Sequence, residues 1–415
     1  MNILFCSPLR GSKGNYPVHV YEVLTNLEKL GHRIIFPGGN RLEGEQNIDS
    51  NLQKPSLLGR AKSALGSSRI LRPFKGEIYL LVSLWNEACL FCSVLSILIK
   101  HRKEIDVIYR RHALYHSEYF LARMFRVPSV QEVNGIEIDL AKHAQRGDRI
   151  SLWLLDRIER YFFPKADKII AITPKLEKVL THDYHVPQHR VVVVQNGANT
   201  DLFKPMDALA ARKRLNLKQS DNCVCMAGSF VRYQGHEYLI KSAPLVLAKN
   251  PNTRFLLIGD GETREGLMEL ARQMECSDRI TFTGSVPYER VTLYLGAADV
   301  CVAPKKPLLS GYSPQSLYEY MACGRPVVAT RTDGFEILEQ HNAGLLVNPE
   351  DAEELARAIV SLLQAPQLRK EIGENARKYV VENHNWKIVA TGVAAVCQQA
   401  IQEYKKTPPN RTETA

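Results

Sequence analysis

Residues 310–329 read SGYSPQSLYEYMACGRPVVA, a stretch that contains a loop, a helix and a strand in succession. Small and polar residues open this stretch, as in a loop that enters a helix. Gly324 is the residue type that ends a helix in a left-handed conformation, and the apolar residues 326–329 follow it as a buried strand. A helix that leads directly into a buried strand is the repeating unit of parallel α/β sheets.

The same alternation of strand-like and helix-like segments extends along nearly the whole chain. It predicts an α/β protein with two doubly wound parallel sheets. The predicted strands of the first sheet are 2–6, 33–36, 106–109, 129–132, 168–172 and 191–194. Those of the second sheet are 223–227, 254–258, 280–282, 300–302 and 326–329. Ligands of such sheets bind beyond the carboxyl ends of the strands, so two facing domains predict a cleft between them.

A domain boundary is expected at Asn196-Gly197, a turn-forming pair that Pro205 follows. The length of 415 residues allows two or three domains. We therefore divide the chain into domains 1–196 and 197–385, a C-terminal helix 386–404 and a disordered tail 405–415.

Charge is distributed unevenly along the chain, whose net charge is +10. Residues 1–200 hold 28 basic and 19 acidic side chains, whereas the remainder holds 26 and 25. The first half either meets an anionic partner or is merely basic. No aromatic stacking platform or nucleic-acid motif accompanies the charge, which argues against a nucleic-acid partner.

The lack of a recognisable secretion signal and the cysteine content both predict a reducing, cytoplasmic location. The first residues lack a charged segment followed by an apolar core and a cleavage site. The uncharged run 88–99 is too short for a membrane span and is expected to lie in a buried helix. Nine cysteines suit reduced thiols. The pairs Cys89/Cys92 and Cys223/Cys225 have no second pair at zinc spacing, so we expect them to pack in the core.

The loop 10–15, between the first strand and the first helix, is the first of four candidate anion-binding loops. Gly14 permits close backbone approach there, and the helix start supplies unpaired amides. The loop matches neither Gly-x-Gly-x-x-Gly nor Gly-x-x-x-x-Gly-Lys-Ser/Thr, which argues against a nicotinamide cofactor and a P-loop nucleotide. A plain tight turn is the alternative.

Three further loops follow strands of the second sheet. Small residues, a cation and an amide at a helix entrance suit a diphosphate, and 228–235 supplies them as Gly228, Ser229, Arg232 and Gln234. Gly259 begins a short turn, for which a plain strand-to-helix turn is the alternative. The fourth loop offers backbone amides to phosphate, and we expect Glu319, two turns into the helix, to accept hydrogen bonds from a ribose diol. Its candidate residues are Ser310, Gly311, Tyr312, Ser313 and Ser316.

The segments EYMACGRPVVA at 319–329 and NGANTDLFKP at 196–205, with the Gly228 and Gly259 loops, resemble glycosyltransferase family 4. The resemblance covers nearly the whole chain and implies the GT-B fold, two Rossmann-like domains facing across a cleft. It implies a retaining transfer of a hexose from a nucleotide-diphosphate sugar, held by the second domain, to a glycan or lipid-linked acceptor on the first. Helix 386–404 would cross back to the first domain. Neither a metal ion nor another cofactor is implied.

Four positions depart from the family's pattern. Gly311 stands where many members have Glu, Ser229 and Gln234 where they have Arg and Lys, and Ser316 where a subgroup has Lys. The two cations expected at 229 and 234 are therefore missing. Either Arg232, Lys305 or Lys306 supplies the catalytic charge, with Arg232 the first choice because it lies inside the loop, or the chain transfers slowly or not at all.

In the first domain, residues 131–135 resemble the segment that faces the sugar in the family. Glu132 and Asn134 are therefore candidate catalytic residues, in contact with the transferred sugar or the acceptor hydroxyl. The alternative for Glu132 is a plain strand end with a turn.

Residues 50–76 hold six basic side chains and no acidic one, interleaved with leucine, isoleucine and phenylalanine. This composition suits a segment that lies on an anionic membrane, here the inner face, and a solvated loop is the alternative. The basic residues are Lys54, Arg60, Lys62, Arg69, Arg72 and Lys75.

Two alternatives to a transferase stay open at this point. One is a GT-B nucleotide-sugar epimerase or hydrolase, and the other is a non-catalytic scaffold that binds sugar nucleotides.

Overall fold

The structure, a computed structural model, describes residues 1–7, 16–37, 75–111, 116–143 and 149–406. The chain divides into two compact units. One consists of Met1–Gln195 with the chain from Lys387 onward, and the other of Asn196–Trp386. Each unit contains one six-stranded sheet, and neighbouring strands in both sheets are parallel. The predicted α/β class with two doubly wound sheets is confirmed.

The sheet of the first unit has the strand order β2-β1-β3-β4-β5-β6. Its strands are β1 Asn2–Cys6, β2 Arg33–Ile35, β3 Val107–Arg111, β4 Ser129–Val133, β5 Lys168–Ala171 and β6 Val191–Val193. Helices α1 to α6 are Tyr16–Lys29, Lys75–His101, Glu118–Phe125, Glu137–His143, Arg149–Phe162 and Pro174–His182. Every residue of β3, β4 and β5 is buried, as expected of parallel strands covered on both faces.

The sheet of the second unit has the strand order β12-β11-β10-β7-β8-β9. Its strands β7 to β12 are Asn222–Ala227, Thr253–Ile258, Ile280–Phe282, Val300–Ala303, Val327–Thr330 and Gly344–Val347. Helices α7 to α14 are Ala208–Arg214, His236–Lys249, Arg264–Gln273, Tyr288–Ala297, Gln315–Ala322, Ile337–Gln340, Ala352–Gln364 and Pro366–Asn383. The carboxyl ends of β7, β8 and β10 are adjacent, because β7 pairs with both others.

The last helix, α15 Trp386–Lys406, packs on the first unit. The buried ammonium group of Lys168 in β5 pairs with Glu403 at 2.9 Å. The helix continues two residues beyond the predicted end at 404, because Lys405 and Lys406 in its last turn favour the negative end of the helix dipole. The rest of the predicted disordered tail, 407–415, lies outside the described residues.

Helix α11 ends as the sequence predicts, at Gly324 with φ of +65°. The Gly324 amide donates to the Met321 carbonyl at 2.9 Å, and the Arg325 amide donates to the Tyr320 carbonyl at 3.1 Å. This pair of bonds is the Schellman motif, which satisfies carbonyl groups that the helix end leaves unpaired. The strand β11 can therefore start three residues after Gly324.

Arg377 of α14 joins two sequence motifs that are more than 100 residues apart. Its guanidinium donates to the carbonyls of Phe203 at 2.7 Å, Ala322 at 2.8 Å and Thr200 at 3.0 Å. A cation at the carbonyl end of α11 also favours the helix dipole. The NGANTDLFKP segment and the helix of the EYMACG segment thus form one packed body.

Two expectations about the core were wrong in part. Within residues 84–101 of α2, whose side chains the structure describes, the buried apolar residues are Leu90, Val94 and Leu98, while Cys89 and Cys92 are exposed, contrary to the expected core packing. The helix is apolar on several faces, so its composition could not show that one face alone would be covered. Cys223 and Cys225 are buried, as expected.

None of the described helices is long and apolar enough to cross a membrane. Strand β12 was not predicted, because Gly344–Val347 is a short run without alternation.

Candidate functional site

The loops that follow β7 and β8 lie against each other at the carboxyl edge of the second sheet. The amide of Gly228 donates to the Ile258 carbonyl at 2.9 Å, and that of Phe230 donates to the Asp260 carbonyl at 2.9 Å. A Cβ atom on Gly259 would lie 1.9 Å from the carbonyl oxygen of Gly228, and Gly259 has φ of +135°. Only glycine fits this approach. The structure thus brings the predicted residues Gly228 and Gly259 together.

The rest of the loop after β7 contains a single 3-10 turn, Arg232–Gln234, which leads into α8. Ser229 and Gln234 are half-buried, and the side-chain oxygen of Gln234 lies beside Gly228. Arg232 is exposed and forms no ion pair with any residue that the structure describes. The loop therefore carries one cation whose charge no described side chain balances.

Lys306, a second candidate cation, is already paired. Its ammonium group lies 2.9 Å from a carboxylate oxygen of Glu237 and 3.5 Å from one of Glu350. Its amide donates to the Tyr233 carbonyl at 3.0 Å, which ties the segment after β10 to the loop after β7. The charge of Lys306 is thus committed within the fold, and Lys306 does not suit the role of a ligand-binding cation.

The loop that enters α11 is fixed by Tyr312. Its amide donates to the Asp333 carbonyl at 2.9 Å, and its hydroxyl donates to the Lys306 carbonyl at 2.6 Å. The ring of Tyr312 lies 5.5 Å from that of Phe335, and the ammonium group of Lys305 lies 4.9 Å from the Tyr312 ring centroid. Lys305 therefore lies beside the predicted donor loop.

Asn196 also holds this loop, through two hydrogen bonds to Ser313. The hydroxyl of Ser313 accepts from the Asn196 amide at 2.8 Å, and the Ser313 carbonyl accepts from Asn196 Nδ2 at 2.7 Å. Ser310 and Gly311 are buried, with φ of +62° at Gly311, and Ser316 is half-buried in the first turn of α11. The amides of a first helical turn lack partners within the helix and favour an anion. The predicted loop residues thus surround one helix N-terminus.

Glu319 lies one turn into α11, not two, because the helix begins only at Gln315. It is buried and accepts hydrogen bonds on Oε1 from the Tyr288 hydroxyl and from Gln315 Nε2, both at 2.7 Å. The ring of Tyr288 packs in turn on Phe203, with 5.1 Å between centroids. Two donors thus fix the orientation of the carboxylate. Sequence reasoning missed Tyr288, because no local pattern links it to a helix 27 residues further on.

In the first unit, Glu132 lies in a buried network at the end of β4. Its carboxylate lies 2.9 Å from His19 Nε2 and 3.7 Å from Arg111 Nη1, and it accepts a hydrogen bond from the Tyr109 hydroxyl. Burial alone raises the pKa of Glu132, but His19, Arg111 and Tyr109 hold it far below the ordinary range. Such a carboxylate is a poor proton acceptor. The arrangement favours the structural alternative for Glu132.

Asn134, one residue after β4, differs from Glu132 in its hydrogen bonding. Both polar atoms of its side chain are buried, and neither has a hydrogen-bond partner among the described residues. A buried amide without partners loses the hydrogen bonds it would make with water, so a ligand that supplies them would be stabilised there. Asn134 therefore suits the predicted contact with a sugar or acceptor hydroxyl better than Glu132 does.

Two family models match consecutive parts of the chain. The model of Glycosyltransferase Family 4 matches residues 17–202, and the model of Glycosyl transferases group 1 matches residues 207–379. Together they cover every strand of both sheets except β1. The chain belongs to glycosyltransferase family 4. The predicted enzyme class is thereby confirmed.

Similar proteins agree with this assignment. The glycosyltransferase is 25% identical over 317 residues to D-inositol 3-phosphate glycosyltransferase of Thermobispora bispora, which covers 72% of this chain and 73% of the relative. Sucrose-phosphate synthase from Thermosynechococcus elongatus has a similar structure, with a TM-score of 0.71 and 21% identity over 97% of this chain and 99% of that one. Anabaena HepE in complex with UDP and glucose also has a similar structure, with a TM-score of 0.70 and 17% identity over 96% of this chain and 100% of that one. The predicted GT-B fold is confirmed.

Several predicted site residues of the glycosyltransferase lie outside the described residues. They are Gly14, in the loop before α1, and the basic residues Lys54, Arg60, Lys62, Arg69 and Arg72. The sixth basic residue, Lys75, is the first residue of α2.

Proposed function

We propose that this glycosyltransferase transfers a hexose, with retention of anomeric configuration, from a nucleotide-diphosphate sugar to a glycan or lipid-linked acceptor. The observation that carries the proposal is the meeting of the loops after β7, β8 and β10 with the N-terminus of α11. Closely packed loops and unpaired helix amides at such a sheet edge are what a nucleotide diphosphate requires. HepE, which shares the fold, was solved with UDP and glucose.

In the proposed reaction, the bond between the anomeric carbon and the diphosphate oxygen breaks, and its electron pair stays on the nucleoside diphosphate. The acceptor oxygen bonds to the anomeric carbon on the face that the diphosphate leaves, and the acceptor proton passes to the leaving phosphate. Negative charge develops on the diphosphate. Arg232 and the amides of Gln315 and Ser316, at the start of α11, stabilise this charge without a metal ion or other cofactor.

Each unit contains one further residue that supports the proposal. Glu319 accepts hydrogen bonds from the ribose hydroxyls, which its burial and its two fixed donors support. Asn134 of the first unit binds a hydroxyl of the transferred sugar or of the acceptor, which its unpartnered amide supports. Glu132 serves this site by holding His19 and Arg111 in place.

We also propose that the protein works in the cytoplasm, at the inner face of an anionic membrane. One face of α5 supports this location. Ile150, Trp153, Leu154 and Tyr161 repeat at helical spacing and are exposed, Ile150 by 74% and Trp153 by 58%. Exposed Phe120 of α3 extends the face, because its ring lies 6.1 Å from that of Phe162 at the end of α5. We call these residues the α5 face.

The charges around the α5 face are complementary to anionic lipid. Arg149, Arg157 and Lys165 form no ion pair within the described ranges. The carboxylates of the two helices are not available to repel lipid phosphate: Glu118 and Glu159 are buried, and Asp156 pairs with Arg160 at 2.8 Å. An apolar helix face with an unbalanced basic margin is typical of helices that lie on membranes.

A panel of UDP- and GDP-hexoses tests the transfer, with release of free nucleoside diphosphate measured with and without candidate acceptors. We expect one donor to give release that depends on the acceptor. Removal of a group that stabilises developing charge costs on the order of 10² to 10³ in kcat, so Arg232→Ala and Glu319→Ala should lower turnover strongly. Glu353→Ala, which removes an exposed carboxylate paired with Arg357, serves as the control and should keep wild-type turnover.

The other outcomes identify the alternatives. Free sugar released without an acceptor would indicate a hydrolase, and an isomerised donor an epimerase. Donor binding without any turnover would indicate a non-catalytic scaffold. Full turnover in Glu319→Ala would contradict the donor site assigned to α11.

A further inference from the structure

Lys305 is a buried cation whose charge no described residue balances. It follows β10 and is 6% exposed. Its ammonium group contacts the ring of Tyr312 but has neither a hydrogen bond nor an ion pair within the part of the chain that the structure describes. A buried ammonium group is costly unless an anion compensates it. An unbalanced cation at the edge of a sheet therefore points to an anionic ligand.

The backbone at Lys305 is fixed between two of the candidate loops. The carbonyl of Lys305 accepts a hydrogen bond from Thr330 Oγ1 at 2.6 Å. A Cβ atom on Gly235 would lie 1.8 Å from the carbonyl oxygen of Pro304, so the two segments are in direct backbone contact. Lys305 is thus held between the loop 228–235 and the loop that enters α11, and it needs no rearrangement to meet a ligand there.

The titratable groups around Lys305 do not neutralise it. His236 of α8 is 1% exposed, and its ring nitrogens have no hydrogen-bond partner among the described residues. Burial, with a smaller contribution from Lys305, lowers the pKa of His236 to about 3, so the imidazole is neutral at pH 7. The nearby carboxylates of Glu237 and Glu350 pair with Lys306. Burial lowers the pKa of Lys305 to about 8, so the side chain is mostly charged at pH 7.

We propose that Lys305 binds the diphosphate of the nucleotide sugar and supplies the charge that Ser229 and Gln234 lack. This inference rests on the proposed function, because it takes the ligand at this sheet edge to be a nucleoside diphosphate. The cation reaches the ligand from the segment after β10 instead of the loop after β7. Arg232 is then a second, exposed cation on the same ligand.

Substitution of two adjacent lysines separates this role from a general effect of charge. Lys305→Met keeps most of the length of the side chain and removes its charge, and Lys306→Met is the matched control. Binding of UDP, GDP, UMP and GMP to the full chain is measured by calorimetry. A charge-assisted contact is worth on the order of 10- to 100-fold, so Lys305→Met should lose that much affinity for the nucleoside diphosphate. The monophosphate, and both ligands in Lys306→Met, should change less than about threefold.

The stability of the unliganded protein distinguishes a binding role from a structural one. If Lys305 serves a ligand, its buried charge destabilises the free protein, and Lys305→Met should raise the midpoint of thermal unfolding. A structural role would lower that midpoint.

A second measurement uses pH and the variant Lys305→Arg, which stays charged throughout. Wild-type affinity for the nucleoside diphosphate should fall as the pH rises from 7 to 9, because Lys305 loses its proton in this range. The terminal phosphate of UDP, with a second pKa of about 6, is already mostly ionised at pH 7. Affinity of Lys305→Arg should stay constant. This comparison does not depend on the folding of Lys305→Met.

Three results would overturn this inference alone. The first is an affinity of Lys305→Met for the nucleoside diphosphate equal to that of wild type. The second is the same dependence of affinity on pH in wild type and Lys305→Arg. Either result leaves the proposed function standing. The third is an equal loss of affinity in Lys305→Met and Lys306→Met, which would indicate a general effect of positive charge instead of a specific contact. A wild-type protein that binds no nucleoside diphosphate would contradict the proposed function and this inference together.

Discussion

At the end of β4, the carboxylate of Glu132 is surrounded by His19, Tyr109 and Arg111 and is 2% exposed. Its neighbour Asn134, two residues away, has an amide without partners in the described part of the chain. On sequence alone both were candidate catalytic residues, because the segment 131–135 resembles the one that faces the sugar in the family, and a structural alternative was open for Glu132 only. The difference arises from α1 and β3, whose side chains reach Glu132 from more than 20 residues away.

Glu132→Gln tests the structural reading of this residue. Removing one partner of a buried ionic network leaves the others uncompensated, so we expect a loss of roughly 3 kcal/mol in the free energy of unfolding at pH 7. Chemical denaturation with urea measures this loss. Glu353→Gln, at an exposed pair, should change it by less than about 1 kcal/mol.

The pH dependence of this loss has a defined sign. The pKa of Glu132 is lowered in the folded state, so its stabilising effect is present above the unfolded value of 4.5 and is lost as the pH falls below it. The gap between wild type and Glu132→Gln should therefore narrow in acid. Unchanged stability with abolished turnover would restore Glu132 as a catalytic candidate.

Helices and strands were predictable where local pattern and burial agree. Strands β1 and β9 have the bounds that the sequence predicts, and Gly324 ends α11 as expected. The start of α11 was not predictable, because Pro314 and the serines around it suit both a loop and a first turn. Nor was the exposure of one side of α2, since that depends on which elements pack against it.

The α5 face makes a prediction about membrane binding. Wild-type protein should sediment with vesicles that contain anionic lipid at low salt, and binding should weaken at high salt. Removing two large exposed apolar side chains in Ile150→Ser/Trp153→Ser should lower the partition coefficient by roughly tenfold or more. Leu209→Ser, at an exposed leucine of the second unit, is the control and should bind like wild type.

Two results would contradict the membrane proposal. One is protein that stays in the supernatant with anionic vesicles at low salt. The other is a wild-type oligomer that Ile150→Ser/Trp153→Ser converts to monomers, because the α5 face would then be an interface between copies of this chain.

For the molecule as a whole, the family and the fold were readable from spaced motifs, whereas the donor site was readable only in part. The loops at Gly228, Gly259 and Ser310 were found because strand ends in parallel sheets meet at one edge. Their coupling through Tyr288, Arg377 and Asn196 joins residues far apart in the chain, and a pattern of neighbouring residues does not contain it.

Independence from metal ions is a prediction about the whole enzyme. If cations and helix amides stabilise the leaving diphosphate, removal of divalent ions should change turnover by less than about twofold. Release of nucleoside diphosphate before and after dialysis against EDTA measures this. Loss of turnover in EDTA, with recovery on addition of Mg²⁺, would contradict the proposed mode of charge stabilisation.

The placement of α15 has a consequence for the order in which the protein forms during synthesis. The first unit begins with β1 but ends with α15, and the whole second unit is translated between them. Until Glu403 leaves the ribosome, buried Lys168 has no carboxylate to pair with. The second unit can therefore complete its core first, while the unit that emerges earlier waits for the last helix and depends longer on protection from aggregation.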